Sequence, residues 1–535
     1  MSVDLGYFSL SEQKMSEQEE TEENNAENVK EKVILSRPPL PPPLPPTSIF
    51  IEKLFTTYWG LSLVFLLVSL ATILFILGDE CRQCFNQLEN PTNKPKTFWA
   101  YGKNIDANGY LKEVYAVLDQ LGFKQERDNK AKGSNWDLLW AHDYPFRALR
   151  ADLTHLKPHQ KINHFPGSGY ITNKVDLATS GVPFVPPAFK LPDQKAALLA
   201  YAADRSNLTF VQKNNDHRNI KVKRLDQMDL SKSGTFVQEF IDKPLLIDGH
   251  KFDIGIYTII TSIDPLRVYI YNGEALLRFC PKKYHPFDPE DLNKYVVGDD
   301  YLPVWRVPVL SEYYNELGFG MRHSLDAYLR SKGEEPQRIW NEIEEAVRSV
   351  VLAREPLIVD ILKRYKSKSN FFEMMRFDFV VDENLHVHLL EANMSPNLSS
   401  AHYPPNRLLY HQVLYNVFGL VGVGERIRKR TDQSMVVSDK HLVTYPEKCA
   451  SDLCKSGCAS SDCQLCKSCL SVETRQYLIA AFKEHLNRGD CKRVFPPIES
   501  QEEAANTLKE GYSVENQLHY KWFKGKCLLD KTWCS

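Results

Sequence analysis

Apolar and polar positions change period several times along the chain. Tyr58–Gly78 is a run of 21 residues without a charge and with little polar stripe. At about 1.5 Å per residue it spans about 30 Å, the thickness of a hydrocarbon core, so it predicts a transmembrane helix. Phe98–Val185 alternates short apolar runs with helical stretches such as "GYLKEVYAVLDQLGF" at Gly109–Phe123, predicting a small α/β domain. "VPFVPPAFKLP" at Val182–Pro192 reads as a boundary loop. Phe236–Phe279, rich in Val, Ile, Tyr, Phe and Thr, predicts antiparallel strands. Asp326–Lys366 places apolar residues at helical spacing, and Leu408–Leu420 predicts a helix packed on a sheet.

Between those helices, Phe377–Pro396 reads as two strands joined by a polar turn at Asp382-Glu383-Asn384. With Glu383 and Asn384 as the two turn residues, Asp378 is expected opposite Leu389. Residues two apart share a face, and cross-strand partners do too. Asp378, Glu391 and Asn393 then converge on one side. Two carboxylates and an amide oxygen are hard ligands suited to Mg²⁺ that also holds substrate phosphates. An isolated acidic hairpin is otherwise only a half-exposed surface feature, so the surrounding sequence decides.

The flanks add three observations. Glu17–Glu31 is acidic and poor in apolar residues, and "RPPLPPPLPP" at Arg37–Pro46 favours polyproline II, as a stiff spacer or a ligand for WW-type domains. Net charge is −2, which implies no general polyanion affinity, and no nucleic-acid partner is expected. Twelve cysteines are present, nine of them after residue 448. Disulfide staples rank first for that cluster and a zinc site, through the spacing of Cys463, Cys466 and Cys469, second. Lys53 and Arg82 flank the apolar run without choosing its orientation. Asn207-Leu208-Thr209 and Asn397-Leu398-Ser399 fit the glycosylation pattern, which matters only for a lumenal domain.

The hairpin "MRFDFVVDENLHVHLLEANMSP" resembles the metal-binding hairpin of the tubulin–tyrosine ligase-like family of ATP-grasp ligases. "WDLLWAH" at Trp136–His142, "INHFPGSGYITNKVDLA" at Ile162–Ala178 and the block Phe236–Phe279 resemble other landmarks of that family, in its order. The resemblance covers about Phe98 to Val443 and is nearest the probable tubulin polyglutamylases. It implies an ATP-grasp-like catalytic region, which, with the small N-terminal α/β domain and the membrane anchor read from the apolar pattern, makes the expected fold mixed α/β (α+β). The expected organisation is a disordered acidic and Pro-rich tail at 1–57, a transmembrane helix at 58–78 and a linker at 79–97. A catalytic region at 98–445 and a Cys-rich C-terminal region at 446–535 follow.

The resemblance also implies ATP and Mg²⁺ as cofactors, with Mg²⁺ on Asp378, Glu391 and Asn393. It implies phosphate contacts from Lys213 and Lys251, a ribose contact from Asp253, and adenine contacts from Gln238, Glu239, Phe240 and Ile241. Arg278 is implied as the catalytic cation beside the phosphate or the incoming amino acid, while Asn293 and Lys294 fall near a family "TN" pair. Three positions depart from the family pattern. The phosphate loop "KNNDHRNI" has no glycine. Gly255 stands where the pattern has arginine. Met375-Arg376 replaces a glycine-aromatic pair, with Arg376 expected one residue off the needed face.

The implied activity is an ATP-dependent protein–glutamate ligase, adding L-glutamate to tubulin or microtubule C-terminal tails. The expected localisation is single-pass membrane through Tyr58–Gly78, with a cytosolic catalytic domain. Two rivals remain: a catalytically impaired nucleotide- or tubulin-binding relative, and a lumenal secretory-pathway protein.

Overall fold

In the computed structural model, residues 95–127, 135–203, 205, 208–214, 221–424, 437–497, 500 and 511–534 are described. Of these, residues from 94 on belong to one compact unit, Lys94–Ser535. The acidic and Pro-rich tail, most of the linker, residues 215–220 of the phosphate loop and the sequon residue Asn207 lie outside the described residues.

The expectation of a single-pass membrane protein is corrected. Among the described residues no helix is long and apolar enough to cross a membrane. The longest described helix, Gln337–Leu362, buries Glu344, Arg348 and Glu355 among its apolar residues and carries further charges at Arg338, Glu342, Glu345 and Arg354. The run Tyr58–Gly78, on which the expectation rested, lies outside the described residues.

Three sheets carry the fold. The first is parallel, with β1 (Thr97–Tyr101), β2 (Lys124–Gln125), β3 (Leu138–Ala141) and β4 (Lys161–Ile162) in the order β2-β1-β3-β4. Its crossover helix α1 (Lys112–Gln120) buries Val114, Val117 and Leu118 at helical spacing. The second is a small antiparallel sheet of β5 (Ala188–Leu191), β6 (Phe210–Asn214), β7 (Lys221–Lys223) and β8 (Thr235–Glu239), ordered β5-β8-β6-β7.

The third sheet is built on β10 (His250–Ile263), a 14-residue strand that turns Phe252, Ile254, Ile256 and Tyr257 into the core. It pairs with β9 (Leu246–Ile247), β11 (Leu266–Tyr271), β12 (Leu276–Phe279) and β14 (Glu373–Val381). β13 (Leu302–Pro303) extends β12, and β15 (Val387–Asn393) extends β14. All nine residues of β14 are buried, the charged Glu373, Arg376 and Asp378 among them. Helix α2 (Gln337–Leu362) packs Ile343, Val347 and Val350 into this core, and α3 (Asn406–Leu420) adds Val413, Leu414 and Val417.

The C-terminal region is joined to the same sheet. β16 (Cys491–Phe495) pairs antiparallel with β11. Helix α4 (Val472–Asn487), capped by the Ser471 hydroxyl accepting from Thr474 N, presses Glu484 onto β11. The Arg267 guanidinium donates to Glu484 Oε2 at 2.7 Å and Oε1 at 2.9 Å, and Thr261 Oγ1 donates to Oε2 at 2.8 Å. Helix α5 (Val514–Leu529) is tied in by Asn516, which donates to Glu355 Oε1 at 2.7 Å and accepts from Leu266 N at 2.7 Å. Cysteines pair as Cys449–Cys466, Cys454–Cys463, Cys458–Cys469 and Cys527–Cys534. Cys463, Cys466 and Cys469 are thereby in disulfides, which leaves no thiolates for the zinc alternative.

Candidate functional site

The hairpin register differs from the sequence expectation. The loop is Glu383–Leu385, not a two-residue turn, because Leu385 adopts a left-handed conformation with φ of 64° and Asp382 N donates to His386 O. A bulge between Asp378 and Phe379 then leaves Leu390 as the extra residue. Asp378 therefore lies opposite Glu391, not Leu389, and Arg376 opposite Asn393. A slip of one residue would have turned the carboxylates to opposite faces, but two slips in the same direction restore the face. The structure brings Asp378, Glu391 and Asn393 together: Asn393 Nδ2 donates to Asp378 Oδ2 at 2.8 Å and to Glu391 Oε1 at 3.2 Å.

The hairpin forms one wall of a cavity of about 220 Å³, and the small antiparallel sheet forms the other. Lys174, Lys213, Lys251 and Arg278 bring four cations to it, facing Asp253, Asp378 and Glu391. Val211, Phe236 and Phe240 supply an apolar floor. Gln238 is buried, accepts from Lys213 Nζ at 3.1 Å and donates to Pro186 O at 3.1 Å. Phe240 and Ile241 line the same space. Glu239, at the end of β8, lines it as well and accepts from Tyr201 Oη at 2.6 Å.

Burial controls the charges here. It lowers Lys213 to about 8, against the pull of Glu391. Burial also lowers Lys251, whose ammonium donates to Tyr295 O at 2.9 Å and stands 5.3 Å from the Phe240 ring centroid. Both lysines would regain full charge beside a polyanion. Burial opposes the charge on Glu391, yet Lys174, 2.7 Å away, and the bond from Asn393 bring its carboxyl down to about 2. Burial pushes Asp253 up to about 6, against the attraction of Arg278 directly across the ladder. Arg278 donates Nε and NH2 to Asp253 at 2.9 and 2.8 Å, and NH2 also to Asp378 Oδ2 at 3.0 Å.

Sequence reasoning missed Lys174. It opens the short helix Lys174–Ala178, which Asn173 caps by accepting from Val175 N and Asp176 N. Its signal was present, since it falls within the landmark "INHFPGSGYITNKVDLA", but nothing local shows that it meets a carboxylate 217 positions away. Asn293 and Lys294 are not brought to the cavity. They sit in a single turn where Lys294 Nζ donates to Pro286 O at 2.6 Å. Arg376 is the second correction: it is two residues from Asp378, shares its face, and donates Nε and NH2 to Asp378 at 2.6 and 2.9 Å.

The donor set decides which residues fit Mg²⁺. A carboxylate offers about four lone-pair sites. Glu391 accepts from Lys174 and Asn393, which leaves acceptor capacity. Asn393 commits its amide nitrogen and keeps its oxygen. Asp378 already accepts four hydrogen bonds, from Arg376 twice, Arg278 and Asn393. Glu391 and Asn393 fit a hard cation, whereas Asp378 takes three of its bonds on Oδ2 and one on Oδ1, and a cation on it would compete with two guanidinium groups for the same negative charge.

A cleft between a small antiparallel sheet and a larger one, lined by four cations and by the carboxylates of Asp253, Asp378 and Glu391, suits a phosphate-handling enzyme. The chain belongs to the Tubulin-tyrosine ligase family, whose model matches residues 152–430. It is 41% identical over 442 residues to the "Probable tubulin polyglutamylase ttll-15" of Caenorhabditis elegans, covering 80% of this chain and 84% of that protein. It is 28% identical over 338 residues to the "Tubulin polyglutamylase TTLL6" of Mus musculus, covering 59% of this chain and 40% of the other. Likeness to the "Tubulin monoglutamylase TTLL4" of Homo sapiens is 27% over 357 residues, 63% of this chain and 28% of that protein.

Proposed function

We propose that the chain is an ATP-dependent tubulin polyglutamylase. It joins the amine of L-glutamate to a glutamate side chain of a tubulin tail. The supporting observation is the 41% identity with a probable tubulin polyglutamylase across most of both chains. The cavity has the charges such a reaction needs. An acceptor carboxylate oxygen attacks the γ-phosphorus of ATP, the bond to the ADP oxygen breaks, and an acyl phosphate forms. The amine of glutamate attacks the acyl carbon, phosphate leaves, an isopeptide bond remains and the amine loses a proton.

Lys213 and Lys251 bind the polyphosphate, and Gln238, Glu239, Phe240 and Ile241 receive the base. Asp253 aligns Arg278 by two hydrogen bonds, and Arg278 stabilises charge on the transferring group. Lys174 holds Glu391 ionised. Mg²⁺, held by Glu391 and Asn393, supplies charge neutralisation of the phosphates when bound.

The test is incubation of the purified chain with tubulin, ATP and isotope-labelled glutamate, with tail peptides read by tandem mass spectrometry. ATP-dependent glutamate on side-chain carboxyls is the expected result. A second reading, an impaired relative, is favoured by the arginines engaged on Asp378. Nucleotide binding without glutamate transfer would select it.

A further inference from the structure

Two departures from the family pattern, Gly255 and Arg376, lie 121 positions apart in sequence and meet in space. β10 and β14 run antiparallel with Gly255 opposite Asp378 and Tyr257 opposite Arg376. The Arg376 side chain passes over Gly255. A Cβ built on Gly255 would stand 2.9 Å from Arg376 Cδ, 3.2 Å from its Nε and 3.3 Å from Asp378 Oδ1. The backbone of Gly255 is not in the left-handed region, so conformational freedom is not the reason for glycine there. The requirement is space for the arginine.

The arginine is fixed. Arg376 is 7% exposed and Asp378 1%. Two charge-assisted bonds join them, at 2.6 and 2.9 Å. Arg278 bridges Asp378 to Asp253. Asp253, Asp378, Arg278 and Arg376 thus close a quartet with no net charge when all four are ionised. A divalent cation at Asp378 would compete with both arginines: Arg278 would keep Asp253, but the buried Arg376 guanidinium would lose its one ion-pair partner among the described residues. Glu391, by contrast, has only Lys174 as its ionic partner among the described residues.

We propose that Arg376 is a built-in counter-ion that withholds Asp378 from the metal, and that Gly255 is glycine to let it lie there. Resting on the reading of a Mg²⁺–ATP site, this makes Arg376 a positioning residue. Asp378 then anchors two guanidinium groups, and the metal is confined to Glu391 and Asn393. Direct addition of an arginine at position 255 would therefore collide with the cation already present.

The experiment measures Mn²⁺ affinity of the full chain by electron paramagnetic resonance, with a non-hydrolysable ATP analogue. It needs neither tubulin nor turnover, so failure of the polyglutamylase reading would leave its result intact. The decisive variant is R376M/D378N, which removes one charge of each sign and so preserves the local balance. Its Mn²⁺ affinity should stay within about threefold of wild type, whereas E391Q should lose about tenfold or more, the scale of a lost metal-site contact. R376M alone should bind Mn²⁺ more tightly, because Asp378 is released. G255A, which drives a methyl group against the arginine, should shift affinity in the same direction as R376M. A loss beyond about threefold in R376M/D378N, on the same scale, would show that Asp378 is a ligand and overturn the proposal. Unchanged affinity in R376M would overturn it too. All variants are first checked by circular dichroism, and if the double variant does not fold, R376M and G255A decide.

Discussion

Glu484→Gln is the most informative perturbation of the seam between the C-terminal region and the main sheet. Glu484 accepts both bonds of the Arg267 guanidinium, a third from Thr261 and a fourth from Tyr269 Oη at 3.2 Å. The two ionic side chains are 4% and 10% exposed. Glutamine keeps one acceptor oxygen but points an NH2 group at a guanidinium that has lost its counter-ion. Breaking a buried pair in this way costs about 3–5 kcal/mol. The compact unit Lys94–Ser535 has about 440 residues, so at about 2.1 cal/mol/K per residue its unfolding entropy is about 0.9 kcal/mol/K. The expected fall in melting temperature is then about 3–5 °C, read by differential scanning fluorimetry or calorimetry. The double variant Arg267→Met with Glu484→Gln removes the stranded charge and should recover much of the loss. A shift below about 1 °C in the single variant would refute the seam as a stabilising contact, on the same conversion.

Further outcomes are expected elsewhere. Glu391→Gln should keep the fold, weaken Mg²⁺–ATP binding by isothermal titration calorimetry and abolish glutamate transfer, because it removes a negative oxygen and the partner of Lys174. Burial raises Glu355 to about 7, so the folded state binds a proton that the unfolded state releases near 4.5. Its stabilising effect is full below that lower value and is lost as pH rises to about 7. Glu355→Gln should therefore raise stability by about 2–3 kcal/mol at pH 8 and leave it little changed at pH 4.5, read by urea denaturation. Glu391 has the opposite sign: with a folded value of about 2, its contribution holds above pH 4.5 and disappears as pH falls toward 2. Lys174→Met should flatten that acid limb. Denaturation without reductant followed by alkylation should spare the eight cysteines of the four bridges, and peptide mapping would reveal any other pairing.

The sequence carried the metal-side face of the hairpin further than its register. Alternation placed Asp378, Glu391 and Asn393 together, yet nothing in "VVDENLHVH" signals a three-residue loop. Its left-handed position is Leu385, whereas glycine or asparagine usually marks that conformation. The bulge at Leu390 is equally silent, because a bulged leucine and a paired one look alike. Apolar runs such as "RIWNEIEEAVRSVV" showed helix because burial on one face imposes a period. They did not show that Asp326–Lys366 is divided, with one helix ending at Ser331 and the next starting at Gln337. Gly255 and Arg376 read separately as two losses, and only the strand pairing makes them one arrangement. Six clustered cysteines permit fifteen pairings, so spacing alone could rank disulfides but not choose among them.

The match to the family stops at residue 430, but the sheet does not. Strand β11 reads "LRVYIY", and among the described residues its outer side is closed by Cys491–Phe495. A chain cut at the family boundary would present that strand's unpaired backbone to solvent, and an apolar edge of this kind templates pairing with other molecules. Shortened versions would then fail by self-association while every candidate active-site residue was still present. Among its described residues the terminal segment contributes no group to the cavity; it is in this sense a chaperone in cis, and its retention keeps the sheet that carries the cavity a solitary object.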